Sequence, residues 1–220
     1  MRNESIATQK ALNLWAVILI IWSFYRLKFQ LPEWFDEFIA KPLVFVLPIY
    51  FYIKKVEKGN FFKNLDFHIF RPFSNYLIGV LIGLVFFATA IFGNFIKFNK
   101  FIFLPGKVIT AQSIIVIFAI AFATSISEEI LSRGFILKRL YHESRNLLTS
   151  SFFASFLFFF LHVPIIFTNN KLTGNLIIFI MVTDLLLSLV NSFLFIYKKN
   201  LVVPILVHAF YNLTIYLFAF

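Results

Sequence analysis

The sequence predicts an all-α fold, a polytopic transmembrane helical bundle, and three observations carry that expectation. Of 220 residues, 60% are hydrophobic and only 14% are charged, and the mean hydropathy of +0.88 lies above that of ordinary water-soluble domains. Apolar runs able to cross a bilayer, at about 20 residues each, recur near 11–27, 38–53, 76–96, 109–137, 147–168, 175–197 and 201–220. No internal repeat is present, nor any linker that would separate two domains. Residues 1–220 therefore read as a single integral membrane domain of about seven spans, with six to eight compatible with the pattern.

The first run, Ala11–Tyr25, ends in bulky Trp22, Phe24 and Tyr25 without a small-residue cleavage site, so it reads as a retained span. The second run is short for the hydrocarbon core. After it, Lys54–Asn75 interleaves Lys54, Lys55, Lys58, Lys63 and Arg71 with Phe61, Phe62, Phe67, Phe70 and Phe73. That is the pattern of a segment lying on lipid headgroups, although a solvated loop explains it equally well. The fourth run is long enough to be tilted, broken or partly cytosolic. The last is also short, and Pro204 suits its first turn.

Orientation follows from the basic residues of the connections. With a cytosolic N-terminus, the inside segments hold Arg2, Lys10, Lys54, Lys55, Lys58, Lys63, Arg71, Lys138, Arg139, Arg145, Lys198 and Lys199. The outside segments hold Arg26, Lys28, Lys41, Lys97, Lys100, Lys107 and Lys171, which favours N-in and C-out. The net charge of +10 fits such loops and their attraction to the lipid bilayer, and nothing points to nucleic acid. The absence of Cys excludes a cysteine nucleophile, thiolate metal ligands and disulfides.

Chemistry concentrates in the fourth run, where Glu128 and Glu129 are followed by Arg133. A carboxylate at the centre of a membrane helix costs roughly 2.5–3.5 kcal/mol on insertion scales, so adjacent acids call for a role. Glu129 and Arg133 are four apart and can pair on one helical face. Glu128 is rotated from Glu129 by about 100°, which leaves one acid spare. A base facing a water-filled cavity is one reading of that acid, and a buried structural ion network is the other.

The fifth run carries Phe158-Phe-Phe-Leu-His162 followed by Pro164, which is expected to loosen the helix beside the imidazole. The last carries His208-Ala-Phe-Tyr-Asn212, a spacing that stacks both polar heads on one face. Each alone is explained by interhelical hydrogen bonding. The other two His, His68 and His142, read as loop residues. Asp184, Ser188 and Asn191 form a polar stripe, read first as interhelical hydrogen bonding. His142-Glu-Ser-Arg-Asn146 begins like a zinc-protease motif but lacks the second His. No G-x-S-x-G elbow is present, and Asp184 is the only Asp well inside a run, leaving no aspartyl dyad.

Glu128-Glu129-x-x-x-Arg133, Phe158-x-x-x-His162 and His208-x-x-x-Asn212, in that order, resemble the three motifs of the CAAX prenyl protease and bacteriocin-processing (CPBP, or Abi) family of intramembrane proteases. The run Lys199-Asn-Leu-Val-Val-Pro-Ile-Leu-Val-His208 resembles the approach to the last motif. The resemblance covers about residues 110–215. It departs from the family pattern in Leu185–Tyr197, which holds Ser188, Asn191 and Ser192 where small Gly residues are usual.

The resemblance implies an intramembrane endopeptidase acting on a membrane-associated or prenylated peptide, of the CAAX type or in bacteriocin or signal-peptide processing, in a prokaryotic cytoplasmic membrane. It implies Glu128 as general base with His162, His208 and Asn212 as oxyanion donors, and Glu129 with Arg133 as supports. Cofactor use stays open between none and zinc, for which Glu128, His162 and His208 are the candidate ligands. Two rival classes remain. One is a non-catalytic membrane scaffold or bacteriocin-immunity protein; the other is a small proton- or ion-coupled transporter using Glu128, Glu129, Asp184 and the two His.

Overall fold

The computed structural model describes residues 2–99, 110–168 and 175–219; Lys100, Lys107 and Lys171, read above as outside connections, lie outside them. The described residues form helices and no strand: α1 (Arg2–Lys28), α2 (33–55), α3 (Phe61–Asn64), α4 (Phe73–Phe98), α5 (Ala111–Ser144), α6 (Leu147–Thr168), α7 (Asn175–Lys198) and α8 (202–219). Four contain windows long and apolar enough to cross a membrane: Ala7–Lys28, Ala111–Ser144, Leu147–Pro164 and Met181–Lys198. Phe73–Thr89 and Val202–Leu217 are shorter apolar helices. The exterior is apolar in the manner of a lipid-facing surface, with Ile20, Phe24, Ile115, Phe152, Ile178 and Leu186 all exposed.

Helix α5 is the axis of the bundle. Its 34 residues span about 51 Å at 1.5 Å per residue, well beyond a hydrocarbon core of about 30 Å, so it must tilt or project from the membrane. Its start is fixed by a capping box, in which Thr110 accepts from the Ser113 N–H at 3.1 Å and the Ser113 hydroxyl oxygen accepts from the Thr110 N–H at 3.0 Å. Directly after Glu128 and Glu129 the helix widens into π-type turns over Ile130–Leu137, and every residue of that stretch is buried. Helix α2 has two similar stretches, Asp36–Ala40 and Pro42–Val46, on either side of Lys41. Pro42 has no N–H to give to a regular α turn, and widened turns of this kind concentrate at functional sites.

Close helix contact comes from small side chains. On α4, Gly79 and Gly83 face α8. A Cβ at Gly83 would lie 2.6 Å from the Phe210 ring, and one at Gly79 would lie 3.1 Å from the Val203 carbonyl. This is the small-residue spacing that lets membrane helices approach closely. In α7, Ser188, Asn191 and Ser192 are fully buried and take the place of the missing Gly residues.

The segment between α2 and α4 divides its roles. Glu57 receives two hydrogen bonds from the Arg139 guanidinium at 2.6 and 2.8 Å, Asp66 pairs with Lys138 at 2.6 Å, and Leu65 is fully buried against Gly134. The Asp66 carbonyl also accepts from the Leu201 N–H at 2.9 Å, tying this loop to the start of α8. The stretch around Phe70, which is 97% exposed, projects outward. His142 belongs to the last turn of α5, not to a loop, because the helix continues to Ser144. The Pro164 ring is held inside α6, which runs on to Thr168.

Candidate active site

Five of the six residues singled out in the sequence meet at the crossing of α5, α6 and α8. The Arg133 guanidinium pairs with Glu129 Oε1 at 2.9 Å, one helical turn apart, and both residues are fully buried. The same Oε1 accepts from Asn191 Nδ2 of α7 at 3.0 Å and lies 2.8 Å from His208 Nδ1. Asn191 Nδ2 also reaches the Pro204 carbonyl at 3.2 Å, so α5, α7 and α8 are joined at one carboxylate oxygen. Phe158 backs this cluster. Its ring lies 4.5 Å from the Arg133 guanidinium carbon, 4.7 Å from the His162 ring and 5.8 Å from the His208 ring. The Phe of the Phe158-x-x-x-His162 motif is thus a packing surface for both imidazoles and for the cation.

Glu128 points elsewhere, as the 100° rotation requires. Its Oε2 lies 3.6 Å from His208 Nε2 and 3.7 Å from His162 Nε2, and it has no hydrogen-bond partner among the described residues. Each imidazole is oriented through its other nitrogen. His208 Nδ1 faces Glu129, and His162 Nδ1 lies 3.2 Å from the Phe158 carbonyl. A proton on each Nδ1 directs both Nε2 atoms toward Glu128. Glu128 and His208 are buried, whereas the His162 side chain keeps 24% of its surface exposed and forms the accessible edge of the group. Asn212 stands slightly apart. It is half-buried, and its Nδ2 donates to Ser125 Oγ at 3.1 Å, one turn before Glu128 on α5.

The expectation of a spare, unpaired acid is corrected by α2. Lys41 Nζ lies 2.7 Å from Glu128 Oε1 and 2.7 Å from Glu37 Oε2, and all three side chains are buried. Lys41 was read above with the outside connections although it falls inside the second apolar run, 38–53. In fact α2 begins at residue 33, and a Lys with an acid four residues before it is a self-neutralising pair that can enter the bundle. That i,i+4 spacing within an apolar run was the available signal. Asp184 was also undervalued: its Oδ2 lies 4.0 Å from His162 Nε2, and its Oδ1 accepts from the Tyr211 hydroxyl at 2.7 Å. The polar stripe of α7 is therefore an interhelical hydrogen-bonding face whose upper member borders the imidazoles.

Comparison with protein families gives this geometry its context: residues 109–214 match the model of the type II CAAX prenyl endopeptidase Rce1-like family. Over that segment the chain is similar to the Rce1-like family. No curated protein and no solved structure matches the chain. That similarity, together with the four helices long and apolar enough to cross a membrane, supports an integral membrane protein of the CAAX-type intramembrane protease class. The Rce1-like segment contains Glu128, Glu129, Arg133, His162, His208 and Asn212, whereas Glu37 and Lys41 lie outside it.

The same atoms can be tested as a metal site. Among the described residues no three His, Asp or Glu side chains are grouped to hold a metal ion. Glu128 already has an ammonium at its other oxygen, which opposes a second cation beside it. The arrangement as it stands fits a water better than zinc.

Proposed function

We propose that the protein hydrolyses a peptide bond near the C-terminus of a membrane-associated, CAAX-type polypeptide, with Glu128 as the general base. The observation that carries this reading is the convergence of Glu128 Oε2 and two imidazole Nε2 atoms, 3.6 and 3.7 Å from it, at the partly open edge of a buried polar cluster. A water held there lies within reach of the carboxylate, the geometric requirement for general-base catalysis.

In this reading Glu128 Oε2 takes one proton from the water while its oxygen attacks the carbonyl carbon. The second proton is held toward an imidazole Nε2. The carbonyl oxygen becomes an oxyanion and is met by the second N–H of Asn212, whose first is used on Ser125. Collapse of the tetrahedral intermediate breaks the C–N bond as Glu128 passes the proton it took from the water to the departing amine. Glu129 and Arg133 hold His208 in position, a support that orients the reacting groups without touching substrate.

The test uses a farnesylated CAAX peptide with a fluorophore and a quencher on opposite sides of the scissile region, and purified protein in lipid nanodiscs. Wild type is expected to cleave it with or without a chelator, and Glu128→Gln is expected not to. Cleavage that stops with chelator and returns with zinc would move the chemistry to a metal, with Glu128, His162 and His208 as its ligands. A cytosolic N-terminus belongs to the same proposal, on the charge pattern of the connections.

A second reading rests on the polar line Glu37–Lys41–Glu128–His162–Asp184–Tyr211, whose successive charged and imidazole groups lie within 4.0 Å of one another and which ends in a hydrogen bond. Such a line suits proton movement in a transporter. It requires flux in liposomes and loss of that flux in Asp184→Asn, whereas a non-catalytic scaffold would tolerate Glu128→Gln.

A further inference from the structure

We infer that the segment between α2 and α4 is a binding surface for the headgroups of anionic phospholipids in the bilayer that holds the protein, with Phe70 set at the boundary between headgroups and acyl chains. The segment sorts its charges. Both of its acids are engaged within the fold: Glu57 accepts from the Arg139 guanidinium and from Asn64 Nδ2, and Asp66 pairs with Lys138. Its cations are left outside. Lys54, Lys55, Lys58, Lys63 and Arg71 are exposed, and none of them is held in an ion pair among the described residues. The exposed face is therefore basic without a compensating anion, the charge that complements a layer of lipid phosphates.

Apolar side chains are displayed beside these cations. Phe62, Ile69, Phe70 and Phe73 are all exposed, a combination with Lys and Arg that suits a membrane interface. The turn that carries Phe70 is clasped, since the Tyr76 hydroxyl donates to the Ile69 carbonyl and accepts from the Arg71 N–H at 3.0 Å. The apolar surface continues onto the flanking helices, where Phe51 of α2 and Leu77 and Leu81 of α4 are exposed. Lys55 Nζ lies 5.4 Å from the Phe51 ring centroid, its stem along apolar surface and its charge beyond it. Cations bordering an apolar belt match phosphates bordering acyl chains, which favours a lipid over a soluble anion.

The same segment is fastened to α8. The Asp66 carbonyl accepts from the Leu201 N–H at 2.9 Å, and Asn200 Oδ1 accepts from the His68 N–H at 3.4 Å and the Val202 N–H at 3.2 Å. Lipid bound here braces the start of the helix that carries His208 and Asn212.

The sequence has no Cys, so Phe70→Cys provides a single site for a nitrobenzoxadiazole fluorophore. In nanodiscs of phosphatidylcholine and phosphatidylglycerol, the label is expected to be quenched by a doxyl group near the top of the acyl chain and shielded from a neutral water-soluble nitroxide. Native mass spectrometry of the wild type, titrated with each lipid, is expected to show at least fivefold tighter binding of phosphatidylglycerol, undisturbed by free glycerol phosphate. Phosphatidylglycerol is also expected to raise the unfolding temperature. The variant Lys54→Gln/Lys55→Gln/Lys58→Gln/Lys63→Gln/Arg71→Gln changes only exposed side chains and is expected to fold, yet to lose both the preference and the rise in unfolding temperature.

Equal binding of the two lipids by the wild type would overturn the inference, as would a folded variant that keeps the preference. A label at residue 70 quenched only from the water would mark a solvated loop or a face for a soluble partner, and displacement by glycerol phosphate would give the surface to a free phosphate; either also overturns it. None of these readouts depends on peptide cleavage, so loss of the protease reading leaves them intact.

Discussion

Glu128 and Glu129 are neighbours in sequence and opposites in surroundings. Glu129 is fully buried, and a single one of its oxygens gathers an arginine, an asparagine and an imidazole from three helices. Glu128 gives one oxygen to a lysine and turns the other toward two imidazoles at distances too long for direct hydrogen bonds. Both acids stand in an i,i+4 type of partnership, Glu129 with its own Arg133 and Glu128 with a Glu37–Lys41 pair brought from another helix. The difference teaches that charge compensation alone does not mark the reactive group. Glu129 is fully buried and gathers three donors on one oxygen, which fits a structural role, whereas the free oxygen of Glu128 faces the partly exposed His162, which is what the proposed chemistry uses.

The contrast can be broken experimentally, starting with the largest effect. Glu128→Gln keeps the size and most of the packing of the side chain but removes the base. Cleavage of the farnesylated peptide is expected to fall by at least about a hundredfold, the lower range for loss of a general base, while gel filtration and thermal unfolding stay near wild type. Arg133→Met should do the reverse. Removing one partner of a fully buried ion pair costs about 3–5 kcal/mol, seen as a much lower unfolding temperature in detergent and a poor yield of folded protein.

Smaller effects sharpen the same comparison. Asn191→Ala removes one of the donors to Glu129 and a bond to the Pro204 carbonyl, for an expected loss of about 1–3 kcal/mol. Chemical denaturation should register it with KM unchanged. Gly83→Ala places a methyl group against Phe210 and is expected to cost about 1–3 kcal/mol through overpacking of α4 on α8. The smallest change is Ser125→Ala, which frees Asn212 from its anchor. A severalfold loss in kcat, with no change in unfolding temperature, would place Asn212 on the reaction path.

Much of this arrangement was legible in the sequence because hydropathy writes membrane helices plainly. The runs at 147–168 and 175–197 fall on α6 and α7 within a residue or two. The three motifs were also legible, since acids and imidazoles are rare in apolar segments and their spacing fixes which share a face. Lys41 was not, because a cation at the edge of an apolar run looks like a connection until its helix start is known. Asn191 was recognised as interhelical, but its partner was not, since which face of α7 meets Glu129 depends on tertiary packing. Gly79 and Gly83 escaped notice because the attention given to small residues fell on α7, where Ser and Asn perform that role.

One experiment addresses the division of labour between the two acids most directly. Wild type, Glu128→Gln and Glu129→Gln are reconstituted in nanodiscs, matched for folded protein, and compared for single-turnover cleavage of the farnesylated peptide. Glu128→Gln is expected to form a complex with the peptide yet not cleave it, while the folded fraction of Glu129→Gln retains measurable cleavage. Cleavage by Glu128→Gln at a rate near wild type, with Glu129→Gln inert, would contradict that division of labour.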